Sequence, residues 1–246
     1  MSLPIAESAR RVARRVGHWR AAPALHPHGV LCSGTLDVPG RTSSPPWGAP
    51  WLDEPRSHTV TVRWSRALGL PRPLPDGLGL AVRVIDADGP GRPLDLIFTS
   101  SGSGRLGRHV PLLRPDALAG PYSTLMSYRV GERECVLAAF PDSDGPAKGA
   151  VEPTLWQKLA CRPVRFALRA AATDEVWRTF ATLSLEAVVG APAWGTVSYD
   201  PYAHGLPDLH PTERLRRLRE AAYAGSRHGR AAAGGAAFEA DVSSPE

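Results

Sequence analysis

The sequence predicts an α+β protein: an antiparallel β-barrel with flanking helices. Three observations carry this. Short β-type stretches recur from residue 29 to residue 189. The segments between them are rich in Pro and Gly and read as turns and loops. Helical periodicity is confined to the two ends and one short internal segment, so the strands must pair mainly with one another, and a closed barrel is the natural way to hide their edges.

The elements follow in order. Residues 5–20 place Ile5, Ala9, Val12, Val16 and Trp19 at spacings of four, three, four and three, which is one apolar stripe on a helix. Such a helix packs on the body of the protein, or alternatively lies on a membrane surface or a partner. The strand series begins with "GVLCSGTLDV" (29–38). "HTVTVRWS" (58–65) alternates clearly, with Val60, Val62 and Trp64 on one face and Thr59, Thr61, Arg63 and Ser65 on the other. "GLAVRVIDA" (79–87), "LDLIFTSS" (94–101), "ECVLAAF" (134–140), "RPVRFALRAA" (162–171) and "WRTFATLSLEAVV" (177–189) continue it. A helix is expected at "PTLWQKLA" and another at "LHPTERLRRLREAAYAGSR", where Pro211 suits a first helical turn and Glu213 the positive end of the helix dipole. The tail from Ala231 is small and polar and is expected to be disordered. The domain expectation is therefore a helix over 1–22, one barrel domain over 23–230 that includes the C-terminal helix, and a tail over 231–246.

The chain has 246 residues and a net charge of +5, carried almost entirely by Arg; the only lysines are Lys148 and Lys158. The basic residues are scattered and no zinc-finger, helix-turn-helix or RNP pattern accompanies them, so nucleic acid is not an expected partner. No apolar run approaches the length of a transmembrane helix, and the basic N-terminus lacks the apolar block of a secretory signal, so a soluble cytoplasmic protein is expected, without an integral membrane segment. Cys32, Cys135 and Cys161 are odd in number and far apart, which argues for buried thiols rather than disulfides or structural zinc. There is no G-x-S-x-G elbow, and "SGSGRLG" lacks the Lys-Ser/Thr of a phosphate-binding loop.

Near the C-terminus, "REAAYAGSRHGR" aligns Arg219, Tyr223, Arg227 and Arg230 on one helical face. A phenol ionises near pH 10, and a guanidinium one turn away favours its charged form. A tyrosinate is a known haem ligand. This stretch resembles the proximal signature of catalases, in which an Arg precedes the ligand Tyr by four residues; Gly225 stands where that family usually has Asp. "SYDPYAHGLPDL" resembles the FDP…PG segment before the catalase proximal helix. "LHPHGVLCSGTLDV" resembles VHAKGxGxxGxFxV, which carries the distal His. "VTVRWSRALGLP" resembles VRFS and its following turn, "LPDGLGLAVRVIDADG" resembles DxRGFAxKFY at Asp76, Gly79 and Ala81, and "PLDLIFTSS" resembles WDLVGNN at Asp95 and Leu96. The blocks occur in the family's order, over about 24–100 and 196–230.

The resemblance implies a catalase-like barrel holding haem b, its iron bound by Tyr223. Arg219 would favour the phenolate, and Arg63 and Arg230 would meet the haem propionates. His26 would be the distal acid–base residue and Ser65 would fix its tautomer. Thr99 falls where the family has its distal Asn, Pro23 where it usually has an Arg, and the aromatic segment after the distal Asn is absent. The implied activity is peroxidase-like or weakly catalase-like, on hydrogen peroxide or organic and fatty-acid hydroperoxides. Two alternatives stand beside it: a catalytically degenerate barrel that binds haem or an apolar ligand without turnover, and a metal-dependent hydrolase using His26, His28, Asp37 and Asp95. The expected partners are a small-molecule peroxide and, as an open alternative, further copies of the chain in a homo-oligomer.

Overall fold

The computed structural model describes residues 28–41, 45–70, 74–142, 159, 163–190 and 198–212. They contain ten strands: β1 (His28–Val38), β2 (Arg56–Arg66), β3 (Asp76–Val84), β4 (Leu94–Ser100), β5 (Leu113–Arg114), β6 (Tyr122–Val130), β7 (Arg133–Pro141), β8 (Val164–Ala171), β9 (Arg178–Gly190) and β10 (Leu209–Pro211). Eight of them run as an antiparallel meander, β1-β2-β3-β4-β6-β7-β8-β9, and β9 pairs back onto β1, which closes the sheet into a barrel. The two short strands are additions: β5 pairs with the start of β3, and β10 pairs with the end of β6.

Alternation decides what is inside. Val60, Val62 and Trp64 are buried in the core, and their neighbours Thr61 and Arg63 lie on the outer face. Phe98, Phe166 and Phe180 fill the centre together with Leu36, Leu80, Leu96, Leu137 and Leu183. An eight-stranded barrel is just wide enough for side chains to fill it, so this interior is packed core rather than a cavity. The polar groups of two large core side chains are satisfied: Trp64 Nε1 donates to Tyr122 Oη at 3.0 Å, and that hydroxyl donates to the Ala117 carbonyl at 2.5 Å.

One end of the barrel is plugged by the β1–β2 connection, read from sequence as loop. It contains a single-turn helix, α1 (Pro50–Asp53), and places Trp47, Trp51 and Leu52 in the core. Asp53 holds it by accepting from the amides of Trp47 and Gly48 at 2.8 and 2.9 Å. Trp51 Nε1 donates to the Ala87 carbonyl at 3.1 Å.

The seam between β4 and β6 is thin, with only Thr99↔Ser123 and Ser100↔Tyr122 paired. Beyond them residues 198–212 take β4's place: His204 O accepts from Asp95 N at 2.9 Å, and β10 runs beside Tyr128–Val130. Pro211, expected in a first helical turn, is instead the last residue of β10. A strand paired on one side only tolerates a residue without an N–H, and the next amide, Thr212 N, donates to Ser127 O at 3.0 Å.

The expected helices over 5–20 and after residue 212 lie outside the described residues, as do the boundaries of the expected 1–22, 23–230 and 231–246 segments. Of "PTLWQKLA" only Leu159 is described; it is helical and buried against the core. Cys32 and Cys135 are free and buried, and burial pushes the Cys32 thiol up to about 11; Cys161 lies outside the described residues. No helix among the described residues is long and apolar enough to cross a membrane.

Candidate functional site

Strand registry places the predicted side chains on the outer face of β1–β4. Three rows cross these strands. The first is Gly29, Ser65, Gly79 and Thr99; the second is Leu31, Arg63, Ala81 and Ile97; the third is Ser33, Thr61, Arg83 and Asp95. Ser65 and Thr99 therefore stand two strands apart, about 10 Å, with the bare Gly79 between them. Arg63 follows diagonally in the next row.

The small residues shape this face. A Cβ on Gly29 would stand 3.0 Å from the Arg63 guanidinium carbon and 2.8 Å from the Trp64 carbonyl oxygen, so the Arg63 head occupies space that any side chain at position 29 would take. Ser65 is 3 % exposed although it lies on the outer face, and its Oγ is 3.5 Å from Gly79 O. Arg63 and Thr99 are half-buried. The rows thus combine glycine, alanine, leucine and isoleucine with two hydroxyls and one guanidinium, and of these Gly79, Ser65 and Leu31 are buried.

The third row carries a clamp that sequence reasoning did not identify. Asp95 is completely buried. Its carboxylate accepts from Arg83 Nε at 2.8 Å and Arg83 Nη2 at 2.6 Å, and from the Asp200 amide at 2.7 Å. His204 Nδ1 lies 2.8 Å from Asp95 Oδ2 and 3.1 Å from Arg83 Nη2. Arg83 Nη2 also donates to Ser198 O at 2.7 Å, and its guanidinium lies over the Tyr199 ring. Hydrogen bonding to Asp95 raises the Arg83 pKa further above its ordinary value. One ion pair thus fastens the "SYDPYAHG" segment to the outer wall beside the Ser65–Arg63–Thr99 patch. Burial pushes the Tyr199 phenol well up, against a smaller opposing effect of Arg83 and Arg63. Tyr122 is likewise raised by burial, so both phenols stay protonated and neither suits a tyrosinate ligand.

Asp76, matched to the same series of motifs, also anchors backbone. It is fully buried and accepts from the amides of Leu68 and Leu70 at 2.9 and 3.0 Å, holding the β2–β3 turn. The carboxylates of the metal-hydrolase alternative are engaged separately: Asp37 accepts from Ser57 Oγ at 2.7 Å, and Asp95 pairs with Arg83. Among the described residues no three His, Cys, Asp or Glu side chains converge as metal ligands. The "SGSGRLG" loop packs on itself, with Gly102 N donating to Gly107 O at 3.0 Å.

The structure thus brings Arg63, Ser65 and Thr99 onto one face. His26, Arg219, Tyr223 and Arg230 lie outside the described residues. Arg83 and His204 are the site-forming residues that sequence reading missed. Only the strand register, which pairs Arg83 directly with Asp95, reveals the contact.

No family model and no curated protein matches this sequence. Solved structures do. A fungal catalase superposes with a TM-score of 0.56 at 11% identity, over 84% of this chain and 59% of its own. Catalase A from Saccharomyces cerevisiae gives 0.56 and 11%, over 84% and 60%. A bacterial catalase gives 0.57 and 11%, over 84% and 56%. The chain spans somewhat under two thirds of the length of these enzymes. At such identity the agreement lies in the path of the backbone: a closed antiparallel barrel of eight strands gives this chain the catalase-like fold.

Proposed function

We propose that the protein is a catalase-like haem protein of the cytoplasm that acts on hydrogen peroxide or on an organic or fatty-acid hydroperoxide. The observation that supports this best is the shared outer face of β1–β4. Ser65 and Thr99 fall in one register row there, and the Arg63 head rests against Gly29, on a barrel with the catalase-like fold. The residues fit the group. A flat macrocycle needs a shallow apolar wall, which Gly79, Ala81, Leu31 and Ile97 supply, and its carboxylates need a cation at the rim, which Arg63 supplies.

In this reading Tyr223 would hold the iron of haem b as phenolate, Arg219 would favour that ionised form, and Arg63 and Arg230 would engage the propionates. Haem, when bound, would supply the redox chemistry for peroxide cleavage. His26 takes a proton from one peroxide oxygen and returns it to the other. Ser65 would hydrogen-bond the second ring nitrogen of His26 and set which nitrogen is free to accept. His28 pairs with Arg66 and Gly29 with Ser65, so the chain enters the barrel beside that serine only two residues after His26. The Asp95 clamp fixes residues 198–204 at the edge of the same wall, and the chain then runs as β10 beside β6.

The test is a hemin titration followed by visible absorption. One haem per chain with a high-spin ferric tyrosinate spectrum is expected, lost in Tyr223→Phe and retained in His26→Ala, where peroxide turnover falls. Full haem occupancy in Tyr223→Phe would sink the ligand assignment. A Soret band without turnover would favour the degenerate barrel, a reading that the threonine at position 99 makes specific, because no side-chain amide is offered there to a peroxide.

A further inference from the structure

The Arg83–Asp95–His204 clamp holds more polar groups than fastening requires. Main-chain groups already tie residues 198–204 down. Asp95 N donates to His204 O at 2.9 Å, His204 N to Asp200 O at 2.9 Å, and Asp200 N to Asp95 Oδ2 at 2.7 Å. Arg83 meets the carboxylate through Nε and Nη2. The imidazole is added to this frame, and counting hydrogens fixes its tautomer. Arg83 Nη2 carries two hydrogens, and its two short oxygen contacts take them: Asp95 Oδ2 at 2.6 Å and Ser198 O at 2.7 Å. None is left for His204 Nδ1, 3.1 Å away. Nδ1 therefore carries the ring proton and donates to Asp95 Oδ2 at 2.8 Å. In the neutral ring the lone pair is then on Nε2. Among the described residues nothing bonds to Nε2 or to Arg83 Nη1, and both atoms reach the surface.

We propose that His204 is a general base, oriented by the buried Asp95, for a neutral O–H acid that also accepts a hydrogen bond from Arg83 Nη1. A buried carboxylate on one ring nitrogen, with the other nitrogen facing outward, is the arrangement that holds a base in its accepting form. Charge favours a neutral substrate. Arg83 and Asp95 cancel, and the Asp200 carboxylate, which accepts from the amides of Tyr202 and Ala203, adds a negative charge close by. An anion is disfavoured there; a proton donor is not. Because Nη2 and Nδ1 are 3.1 Å apart, Nη1 and Nε2 lie at most about 8 Å apart. A two-oxygen group with a hydrogen bond at each end spans about 7 Å, and a hydroperoxide has that form. Its O–H proton passes to Nε2, the electron pair stays on the terminal oxygen, and Arg83 Nη1 hydrogen-bonds the anion formed. The base stands on these residues alone; a hydroperoxide as its substrate rests on the function proposed above. The site lies one register row from Arg63.

Nitrogen NMR of the full chain with labelled histidine, without hemin and at about pH 8, above the ordinary histidine range, reads the tautomer. His204 is expected with its proton on Nδ1, and its Nε2 resonance is expected to move saturably as tert-butyl hydroperoxide is added. A proton on Nε2, or a resonance that the hydroperoxide leaves in place, would overturn the proposal. Both readings are made without haem, so they stand whatever the hemin titration returns. His204→Asn then separates a base from a mere tie. The Asn amide nitrogen falls where Nδ1 was and still donates to Asp95, and no atom replaces Nε2. In hemin-loaded protein, hydroperoxide turnover per folded chain is expected to fall about a hundredfold in this variant. Turnover equal to that of the wild type would overturn the proposal.

Discussion

Asp95→Asn tests whether the clamp at the edge of the β1–β4 wall holds the fold together. The substitution keeps the volume and removes the charge. The carboxylate takes four close donors, from Arg83 Nε, Arg83 Nη2, the Asp200 amide and the side of His204, at 2.6–2.8 Å. An amide keeps one acceptor oxygen and turns an NH2 group toward a donor, which then loses its acceptor. Breaking one side of a buried pair costs about 3–5 kcal/mol. The Arg83 side chain is 21% exposed and that of His204 33%, so water recovers part of the loss and the lower end, about 3 kcal/mol, is expected. For a domain of this size that lowers Tm by about 6–12 °C. Circular dichroism melts of the wild type, Asp95→Asn, Arg83→Leu and the double variant form the cycle. The double variant should lose about 1–3 kcal/mol less than the sum of the single changes. A Tm shift below about 3 °C for Asp95→Asn, or strict additivity in the cycle, would refute the argument that one ion pair fastens residues 198–204.

Two further predictions follow from packing and charge. A Cβ at Gly34 would stand 2.0 Å from Ser184 O in β9, and neither backbone can yield without opening the β1–β9 ladder. Gly34→Ala should therefore lose more than about 2 kcal/mol in urea denaturation; an unchanged midpoint would contradict the close approach. His58 stacks on Trp51 at 5.3 Å, and burial, with a smaller effect of Arg56, lowers its pKa. The unfolded chain takes up this proton at a higher pH than the folded one, so the contribution of His58 to stability is complete above the ordinary histidine range and is eroded as pH falls through that range toward the depressed folded value. In His58→Gln the slope of stability against pH over about pH 7 to 5 should flatten, and an unchanged slope would refute the assignment.

What the sequence reveals about the fold follows from how regular each strand is. Val60, Val62 and Trp64 alternate with Thr61, Arg63 and Ser65 without interruption, so strand and inward face could both be read. β6 was missed because its alternation breaks. Ser123 pairs with Ala138 and Ser127 with Val136, so four steps on one strand oppose two on the other, and Leu125 takes a positive φ of 57° within the bulge. Ser123 and Thr124 are buried there as hydroxyls bonded to backbone, a pattern that hydrophobic periodicity does not register. Pro211 misled in the other direction, because its fixed φ suits a first helical turn and a strand edge equally well. In the site, Arg63, Ser65 and Thr99 were legible because motif and alternation pointed the same way. Arg83 was not, because an outward arginine on a strand looks the same whether it meets water or a buried carboxylate from the next strand.

The two halves of the barrel's outer wall are used differently, and that difference argues for where chemistry can occur. Across β7 and β8 the wall is covered by the protein's own loop and aromatic side chains. The Arg169 guanidinium lies over Phe140, Phe140 packs edge-on against Trp177, and Trp177 lies under Arg108. Trp177 Nε1 donates to Ser103 O at 2.8 Å, and Ser123 Oγ donates to Arg108 O, which ties the 101–110 loop down over these strands. Large flat residues are thus spent on internal packing in that half. Across β1–β4 the corresponding rows hold Gly29, Gly79 and Ala81 in place of large flat residues, and the Arg83–Asp95–His204 clamp brings a second chain segment to the margin of those rows. With the interior filled by Phe98, Phe166 and Phe180 and one end plugged by tryptophans, the flat ligand proposed above would have to meet the barrel from outside, and the β1–β4 wall is the one that carries Arg63, Ser65 and Thr99.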